Sequence, residues 1–127
     1  MNYLWDTNSA IYYLQQLFPK DAEDFVDDIL SKSQPKFSVI SEIELLCWKT
    51  TIEMEQYIKN FIGDSIILGI NADVVYECVA LRKNKRIKTP DAIIAATALV
   101  YNYTIITNNE KDFINIDGLK IINPYKI

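Results

Sequence analysis

Three carboxylates stand at predicted junctions between strands and helices. Asp6 directly follows the apolar run "YLW" in "YLWDTN", where a strand is expected to end. Glu44 lies early in the helix predicted after the strand "KFSVI", and Asp91 lies in the first turn of the helix in "TPDAIIAATAL". A buried carboxylate without a partner is unfavourable, so it takes up a proton or acquires a cation or hydrogen-bond donors. We therefore expect these acids to have such a partner.

The predicted positions of the three acids bring them to one edge of a sheet. In an open parallel sheet, the carboxyl ends of the strands and the N-termini of the following helices lie together, and ligands bind there. We therefore expect Asp6, Glu44 and Asp91 to converge. Clustered carboxylates cannot all stay ionised without a cation, and a set of oxygen ligands suits Mg²⁺ or Mn²⁺. The pattern predicts a divalent metal site.

Each acid also has a purely structural explanation. Asp6 could form an Asx turn, Glu44 could be half of a capping box with Ser41, and Asp91 could stabilise a helix dipole. Acids are common at helix starts for reasons unrelated to function. Only the joint placement of the three favours the metal site over these explanations.

Short apolar runs alternate with segments of helical periodicity along the chain. The predicted strands are "YLW", "KFSVI", "SIILGI", "YTIIT" and "LKIINP". Thr7 or Asn8 is expected to cap the first helix, and Thr89 is expected to cap the last one, with Pro90 at its first position. Because each parallel return needs a crossover helix, this alternation predicts an α/β layer structure with a mostly parallel sheet.

Composition limits the classes of protein that remain. The chain has 127 residues, half of them apolar, and we expect residues 1–127 to form a single domain. A net charge of -4 argues against binding nucleic acid by bulk positive charge. The chain has no histidine, which excludes histidine-based acid/base catalysis and histidine-ligated metals. Cys47 and Cys78 are predicted to be buried thiols.

The sequence indicates no membrane segment. It has no window of about 18 apolar residues, the length that a membrane span needs. The first residues lack the basic, apolar and small-residue regions of a signal peptide. We therefore expect a cytoplasmic protein.

Several motifs together resemble a known family. They are "YLWDTNSAIYYL", "SVISEIELLCW", "TPDAIIAATALVYNYTIITNNEKDF" and "LKIINPY". In this order they are similar to PIN-domain ribonucleases, specifically the VapC-type toxins of bacterial toxin–antitoxin pairs. The resemblance covers nearly the whole chain. It implies a three-layer α/β/α PIN-like domain and a Mg²⁺-dependent endoribonuclease, with Mn²⁺ as an alternative metal.

The resemblance also implies roles for residues and partners. The family's metal-binding acids correspond to Asp6, Glu44 and Asp91. RNA, either tRNA or ribosomal RNA, is the expected substrate, and a cognate antitoxin and a second copy of the chain are the expected partners. Phosphodiester hydrolysis at a carboxylate-held metal needs no histidine, because the metal activates a bound water.

The fourth acidic position of the family is altered in this chain. The family often has an acid after a Thr-Arg pair at the end of the late strand, whereas "TNNEKDF" places Asn109 there. Asn109 could give a neutral oxygen to a metal or its water, and Mg²⁺ accepts such ligands. Asp112 could compensate instead, or it could be a loop acid ahead of the Phe113 anchor. We prefer Asn109 as the site residue and keep Asp112 as the alternative.

A basic run precedes Asp91 and is expected to contact RNA. The run "LRKNKRIK" supplies the predicted RNA-binding residues Arg82, Lys85, Arg86 and Lys88. A solvated helix end is the alternative, because basic residues are favoured near a helix C-terminus.

Two other functions stay open. An aspartyl-phosphate phosphotransferase with Asp6 as nucleophile is disfavoured, because Asn8 stands where dehalogenase-like enzymes have a second acid. A non-catalytic interaction module with the same fold is the other alternative, and the altered fourth position keeps it open.

Overall fold

The computed structural model describes residues 2–127. Over these residues strands and helices alternate, and two short 3-10 helices lie near the C-terminus. The strands are β1 (Tyr3–Trp5), β2 (Lys36–Ser38), β3 (Ile66–Leu68), β4 (Thr104–Ile106) and β5 (Lys120–Ile122). The helices are α1 (Thr7–Leu14), α2 (Lys20–Lys32), α3 (Val39–Cys47), α4 (Ile52–Gly63), α5 (Ala72–Asn84) and α6 (Thr89–Tyr101), and the 3-10 helices are Glu110–Asp112 and Pro124–Lys126.

The strands form one parallel layer in two pieces. β4 lies between β1 and β5 in a three-stranded sheet, and β2 pairs with β3. All of these pairs are parallel. β2 lies beside β1, which gives the spatial order β3-β2-β1-β4-β5. The predicted α/β architecture with a mostly parallel sheet is confirmed.

The alternation of side chains along the strands creates two cores, one on each face of the sheet. Trp5 and Ile106 point into the core formed with the first four helices, and Leu4 and Ile105 point into the core formed with α5 and α6. Adjacent strand residues face opposite sides. The result is the predicted three-layer α/β/α arrangement.

α6 lies close to the sheet and to α5 because its buried face is made of small side chains. Ala92, Ala95, Ala96 and Ala98 are buried by 99% or more of their surface, and α6 packs along α5. This helix is fixed along nearly its whole length. Its first turn, which carries Asp91, therefore has a defined position beside the sheet.

The capping residues of three helices differ from the predicted ones. Asp6, rather than Thr7 or Asn8, caps α1. Ser38 caps α3, so Ser41 is already inside the helix and forms no capping box with Glu44. α6 begins at Thr89 itself, and its N-cap position is Lys88. Each observed cap therefore lies one to three residues earlier in the chain than the predicted one.

An aromatic cluster fills the core beneath the first four helices. Trp5 and Phe37 are fully buried. Their ring centroids are 5.8 Å apart, and the Phe61 ring lies 5.9 Å from each. Tilted and edge-to-face contacts at such distances are favourable for aromatic rings. The cluster joins β1, β2 and α4.

The prediction of buried thiols is wrong for Cys47, which is exposed at the end of α3, while Cys78 is half-buried. The apolar sequence around Cys47 includes Ile43 and Leu46, which are themselves about half exposed, at 52% and 51%. Within residues 2–127, no helix combines the length and the apolar character needed to cross a membrane.

We expect Phe37→Ala to lower the free energy of unfolding by about 3–5 kcal/mol, because a fully buried ring is lost and a cavity remains. Urea denaturation followed by circular dichroism measures this change. Ile52→Ala is the control, since Ile52 is 82% exposed, and its effect should stay within about 0.5 kcal/mol. Equal losses in the two variants would contradict the assignment of the aromatic cluster as core.

Candidate active site

An acidic cavity opens where β1 ends and α6 begins. Its volume is about 240 Å³. The three predicted metal ligands, Asp6, Glu44 and Asp91, line it together with Asp112. The remaining lining residues are Thr7, Asn8, Ile11, Trp48 and Ile94. The structure therefore brings the predicted acids to one place, and their role as ligands stays a prediction.

Asp6 is the most firmly held of these acids. It is only 5% exposed. One carboxylate oxygen, Oδ1, accepts a hydrogen bond of 2.8 Å from the Ser9 backbone N–H and so caps α1. The other oxygen accepts a hydrogen bond from the hydroxyl of Thr107. The structural explanation of Asp6 and its place in the acidic cavity are thus compatible.

The strand register explains why Asp6 meets Thr107. Trp5 pairs with Ile106 in the parallel ladder, so Asp6 and Thr107 are the next residues after the paired ends of β1 and β4. The Ser9 hydroxyl closes the same corner by donating to the Ile106 carbonyl at 3.1 Å. Local backbone geometry therefore fixes the Asp6 carboxylate.

Burial raises the pKa of Asp6, because the charged form loses its hydration. The hydrogen bonds from Thr107 and Ser9 act in the opposite direction, and the charge of Asp112 raises the pKa further. A buried carboxylate with donors on both oxygens and another acid nearby is favourable only if its charge is balanced.

Glu44 is exposed on α3, and a residue of α1 fixes the orientation of its side chain. Its Oε1 accepts a hydrogen bond of 2.5 Å from the Thr7 hydroxyl. The same hydroxyl oxygen lies 3.0 Å from the Ser41 Oγ. The first turn of α1 and the first turns of α3 are thereby linked next to the acidic cavity.

Asp91 is half-buried at the start of α6, and its pKa is raised to about 6. Burial is the main cause, and the charges of Asp112, Glu44 and Asp6 add to it, in this order. The charge of Lys88 acts in the opposite direction and lowers the pKa. Asp91 therefore feels every other acid of the cavity as a like charge, which a bound cation would relieve.

Asn109 and Asp112 take different places. The 3-10 helix Glu110–Asp112 carries Asp112 into the cavity wall. Asn109 lies behind it: its side-chain amide donates to the Asp112 carboxylate, and its backbone N–H donates to the Thr107 Oγ1 at 3.0 Å. Within the described residues Asn109 does not line the cavity. The placement favours Asp112 as the fourth group, contrary to our preference for Asn109.

The turn that carries Asp112 is tied to the C-terminal segment. Glu110 accepts a hydrogen bond of 3.2 Å from the Asn123 amide and forms an ion pair of 2.5 Å with Lys126. The ion pair lowers the pKa of Glu110. The last 3-10 helix therefore helps to hold the turn beside the cavity.

The predicted RNA-binding residues lie around the end of α5. Arg82 donates a hydrogen bond of 2.6 Å to the Thr89 hydroxyl and so links α5 to α6. Lys85 and Arg86 line a second cavity. Lys88 is exposed next to Asp91.

The donor set fits a hard divalent cation in its chemistry, since it consists of oxygen atoms and carries negative charge. As the side chains stand, residues 2–127 contain no group of three acids or cysteines that could hold a metal. Glu44 and Asp112 are turned toward Thr7 and Asn109. Each of these bonds occupies one carboxylate oxygen, so a turn of the side chain is enough to direct the other oxygen toward a cation.

Sequence reasoning missed Thr7 and Thr107 as partners of the acids. The signal for Thr107 is a polar residue that ends an otherwise apolar strand, in the same position relative to β4 that Asp6 takes relative to β1. Thr107 is fully buried. No such signal marks Thr7, because only the packing of α1 against α3 brings it to Glu44.

Comparisons with known proteins agree with the family that the sequence motifs resemble. A family model of the PIN domain matches residues 3–119. The structure is similar to a toxin–antitoxin complex from Klebsiella pneumoniae, with a TM-score of 0.78, 30% identity and coverage of 99% of this chain and 100% of that chain. It is also similar to VapBC-1 from nontypeable Haemophilus influenzae, with a TM-score of 0.79, 25% identity and coverage of 98% of both chains.

A third solved structure shares the fold at lower identity. VapBC2 from Rickettsia felis, bound to a DNA fragment from its promoter, has a TM-score of 0.80 at 23% identity, with 97% of this chain and 98% of that chain covered. Among curated proteins, no sequence matches this chain at a significant level.

We expect metal-free Asp91→Asn to be more stable than the wild type at pH 7–8 and equal to it near pH 4. Between the usual value of 3.8 and the folded value of about 6, the folded state binds more protons than the unfolded chain, so wild-type stability falls as the pH rises through this window. The gain should be about 1–2 kcal/mol after allowance for solvent screening.

Thermal unfolding in EDTA across this pH range measures the effect. Asp73→Asn is the matched control, because Asp73 also lies in the first turn of a helix but is exposed and outside the cavity. A pH-independent gain, or the same gain in the control, would contradict the like-charge origin of the shift.

Proposed function

Because the chain belongs to the PIN-domain family, we propose that it is a metal-dependent endoribonuclease and the toxin of a toxin–antitoxin pair. The family and the fold predicted from the sequence motifs are confirmed. The observation that carries the proposal is the convergence of Asp6, Glu44, Asp91 and Asp112 on one cavity at the carboxyl edge of a parallel sheet. This is the place where ligands bind in open α/β sheets.

We assign the metal to Asp6, Glu44 and Asp91, with Mg²⁺ as the first candidate and Mn²⁺ as the alternative. When bound, such an ion supplies an activated water and charge stabilisation for phosphodiester hydrolysis. Asp6 gives the site its fixed point, because its carboxylate is held by Ser9 and Thr107.

The other acids of the cavity have separate roles in this proposal. Asp91 supplies a carboxylate that accepts no hydrogen bond within residues 2–127, so it is free for a ligand role. Its raised pKa means that ion binding and loss of a proton are coupled at pH values near 6. Asp112 completes the acidic wall, and Asn109 orients Asp112 through its side-chain amide.

The substrate is RNA, with tRNA or ribosomal RNA as the candidates. We assign its binding to a basic border, Arg82, Lys85, Arg86 and Lys88, in which Lys85 and Arg86 line a cavity that shares Asp112, Lys88 acts on Asp91, and Arg82 contacts Thr89. An acidic cavity alone repels the phosphate backbone, so the border provides the positive charge that a polyanion needs. The protein as a whole carries a net charge of -4, which makes this local concentration of cations important.

We further propose a cognate antitoxin and a homodimer as the partners, in the cytoplasm. The Klebsiella pneumoniae structure is described as a toxin–antitoxin complex, which supports an antitoxin for this chain. A segment of that partner would cover the acidic cavity, where an Arg or Lys side chain could balance the carboxylates. The homodimer is inferred from the family resemblance.

A non-catalytic module with the same fold is the alternative that one observation favours. The side chains as placed do not form a metal-holding group within residues 2–127. A phosphotransferase with Asp6 as nucleophile has less support, because both Asp6 oxygens accept hydrogen bonds and Asn8 is no carboxylate. Metal-dependent cleavage separates the enzyme from the module.

We expect the wild type to cleave total RNA with Mg²⁺ and to lose this activity in EDTA. Asp91→Ala should reduce the rate at least about a hundredfold, because even the loss of a group that supports a metal ligand costs about ten- to a hundredfold. It should also abolish growth arrest on expression without an antitoxin. Asp73→Ala should leave both effects unchanged.

Circular dichroism should confirm that the Asp91→Ala protein is folded. A folded Asp91→Ala protein with wild-type activity would remove Asp91 from the catalytic site. A wild type that binds Mg²⁺ in calorimetry but cleaves no RNA would support the non-catalytic module.

We expect Asp112→Asn to raise the Mg²⁺ concentration needed for half-maximal cleavage and to lower the rate nearly as much as Asp91→Asn does. Asn109→Ala should have a smaller effect, about tenfold, because Asn109 acts by orienting Asp112. Mg²⁺ titrations of the cleavage rate compare the two. If Asn109→Asp lowers the Mg²⁺ requirement while Asp112→Asn changes nothing, Asn109 rather than Asp112 is the fourth ligand.

A further inference from the structure

A second cavity, of about 260 Å³, lies next to the acidic cavity and has the opposite charge. Three cations line it, namely Lys85, Arg86 and Lys111, and its remaining wall includes the segment 114–116. The two cavities share Asp112. The two cavities therefore lie on either side of one carboxylate.

The basic cavity is assembled by the fold and is more than a solvated helix end. Lys85 and Arg86 follow α5, whereas Lys111 comes from the 3-10 helix after β4. Cations from two distant segments meet around one space, and Lys85 and Asp112 are half-buried there. Arg86 and Lys111 are exposed, as is Lys83 of the same basic run, which lies outside this wall.

The three cations have no balancing partner. Over residues 2–127 none of them forms an ion pair. The acid in the wall, Asp112, also faces the acidic cavity and already accepts a hydrogen bond from Asn109. Like charges around one space repel each other, and a bound anion relieves the repulsion. A phosphate suits this wall, because Arg binds it with two parallel N–H groups and Lys binds it as a point charge.

We propose that the basic cavity is a phosphate subsite for the RNA strand, with Lys111 as a substrate-positioning residue. The subsite rests on the proposed nuclease function. The phosphate that is cleaved lies at the acidic cavity, and a flanking phosphate of the same strand lies among Lys85, Arg86 and Lys111. This contact holds the strand against the repulsion of the carboxylates.

The test uses the full-length protein and a fluorescein-labelled single-stranded RNA of mixed sequence. Binding is measured by fluorescence anisotropy over a series of NaCl concentrations, in an Asp91→Asn background that prevents cleavage. Lys111→Ala should weaken binding about threefold to fivefold and reduce the slope of log affinity against log salt by about 0.7, the value for one lost contact to a single strand. Lys111→Arg should restore both, and Lys83→Ala should change neither.

Cleavage by the otherwise wild-type enzyme gives a second measurement. Lys111→Ala should raise KM and leave kcat unchanged, which a merely structural role in the turn would not produce. Equal effects of Lys111→Ala and Lys83→Ala on affinity would overturn the subsite, since the basic run would then act only as a diffuse field. The subsite is also overturned if polyglutamate, but not RNA, binds less tightly to Lys111→Ala, because the cavity would then take an acidic peptide.

The two proposals can fail separately. If the wild type cleaves no RNA but its RNA affinity still depends on Lys111 and not on Lys83, the nuclease function fails and the phosphate subsite stands. If cleavage is metal-dependent but indifferent to Lys111, the nuclease function stands and the subsite fails.

Discussion

The Asp6 carboxylate is the interaction on which the site depends. It receives the Ser9 backbone N–H at the start of α1 and the Thr107 hydroxyl at the end of β4, and so it joins two strand ends and a helix start. Each donor belongs to an element that the ladder between β1 and β4 already positions. Burial makes the charge unfavourable, and the two donors recover only part of that cost. A carboxylate held in this way cannot turn away from its neighbours.

The remaining acids are arranged around this fixed charge on elements that bury them to different degrees. Asp91 stands on α6, whose alanine-rich face is buried, so it has little freedom to move away. Glu44 is exposed, and Asp112 belongs to a short turn. The site thus combines two acids on rigid elements with two acids that can adjust. Such a combination suits an ion that accepts ligands only in a well-defined geometry.

Sequence patterns predicted the parts of the structure that follow from periodicity. The short apolar runs correctly predicted five strands. The convergence of Asp6 and Asp91 was predictable because Asp6 follows a strand and Asp91 lies at a helix start. The helix caps were less predictable, because Ser38 and Ser41 both suit a cap and only the end of β2 decides between them. The placement of Asn109 and Asp112 depends on a 3-10 turn, which no periodicity marks. Lys111 was overlooked because its neighbours in space come from a distant segment.

The two tryptophans of the chain occupy unlike environments. Trp5 is completely enclosed by the aromatic cluster, while Trp48 lines the acidic cavity. We therefore expect their intrinsic emission to differ in wavelength and in access to quenchers, with Trp5 as an internal reference for the intact core. A soluble quencher that enters the acidic cavity contacts Trp48, whereas Trp5 offers it no surface. Trp48 is thus placed as a natural optical probe of the cavity wall, and no label has to be attached.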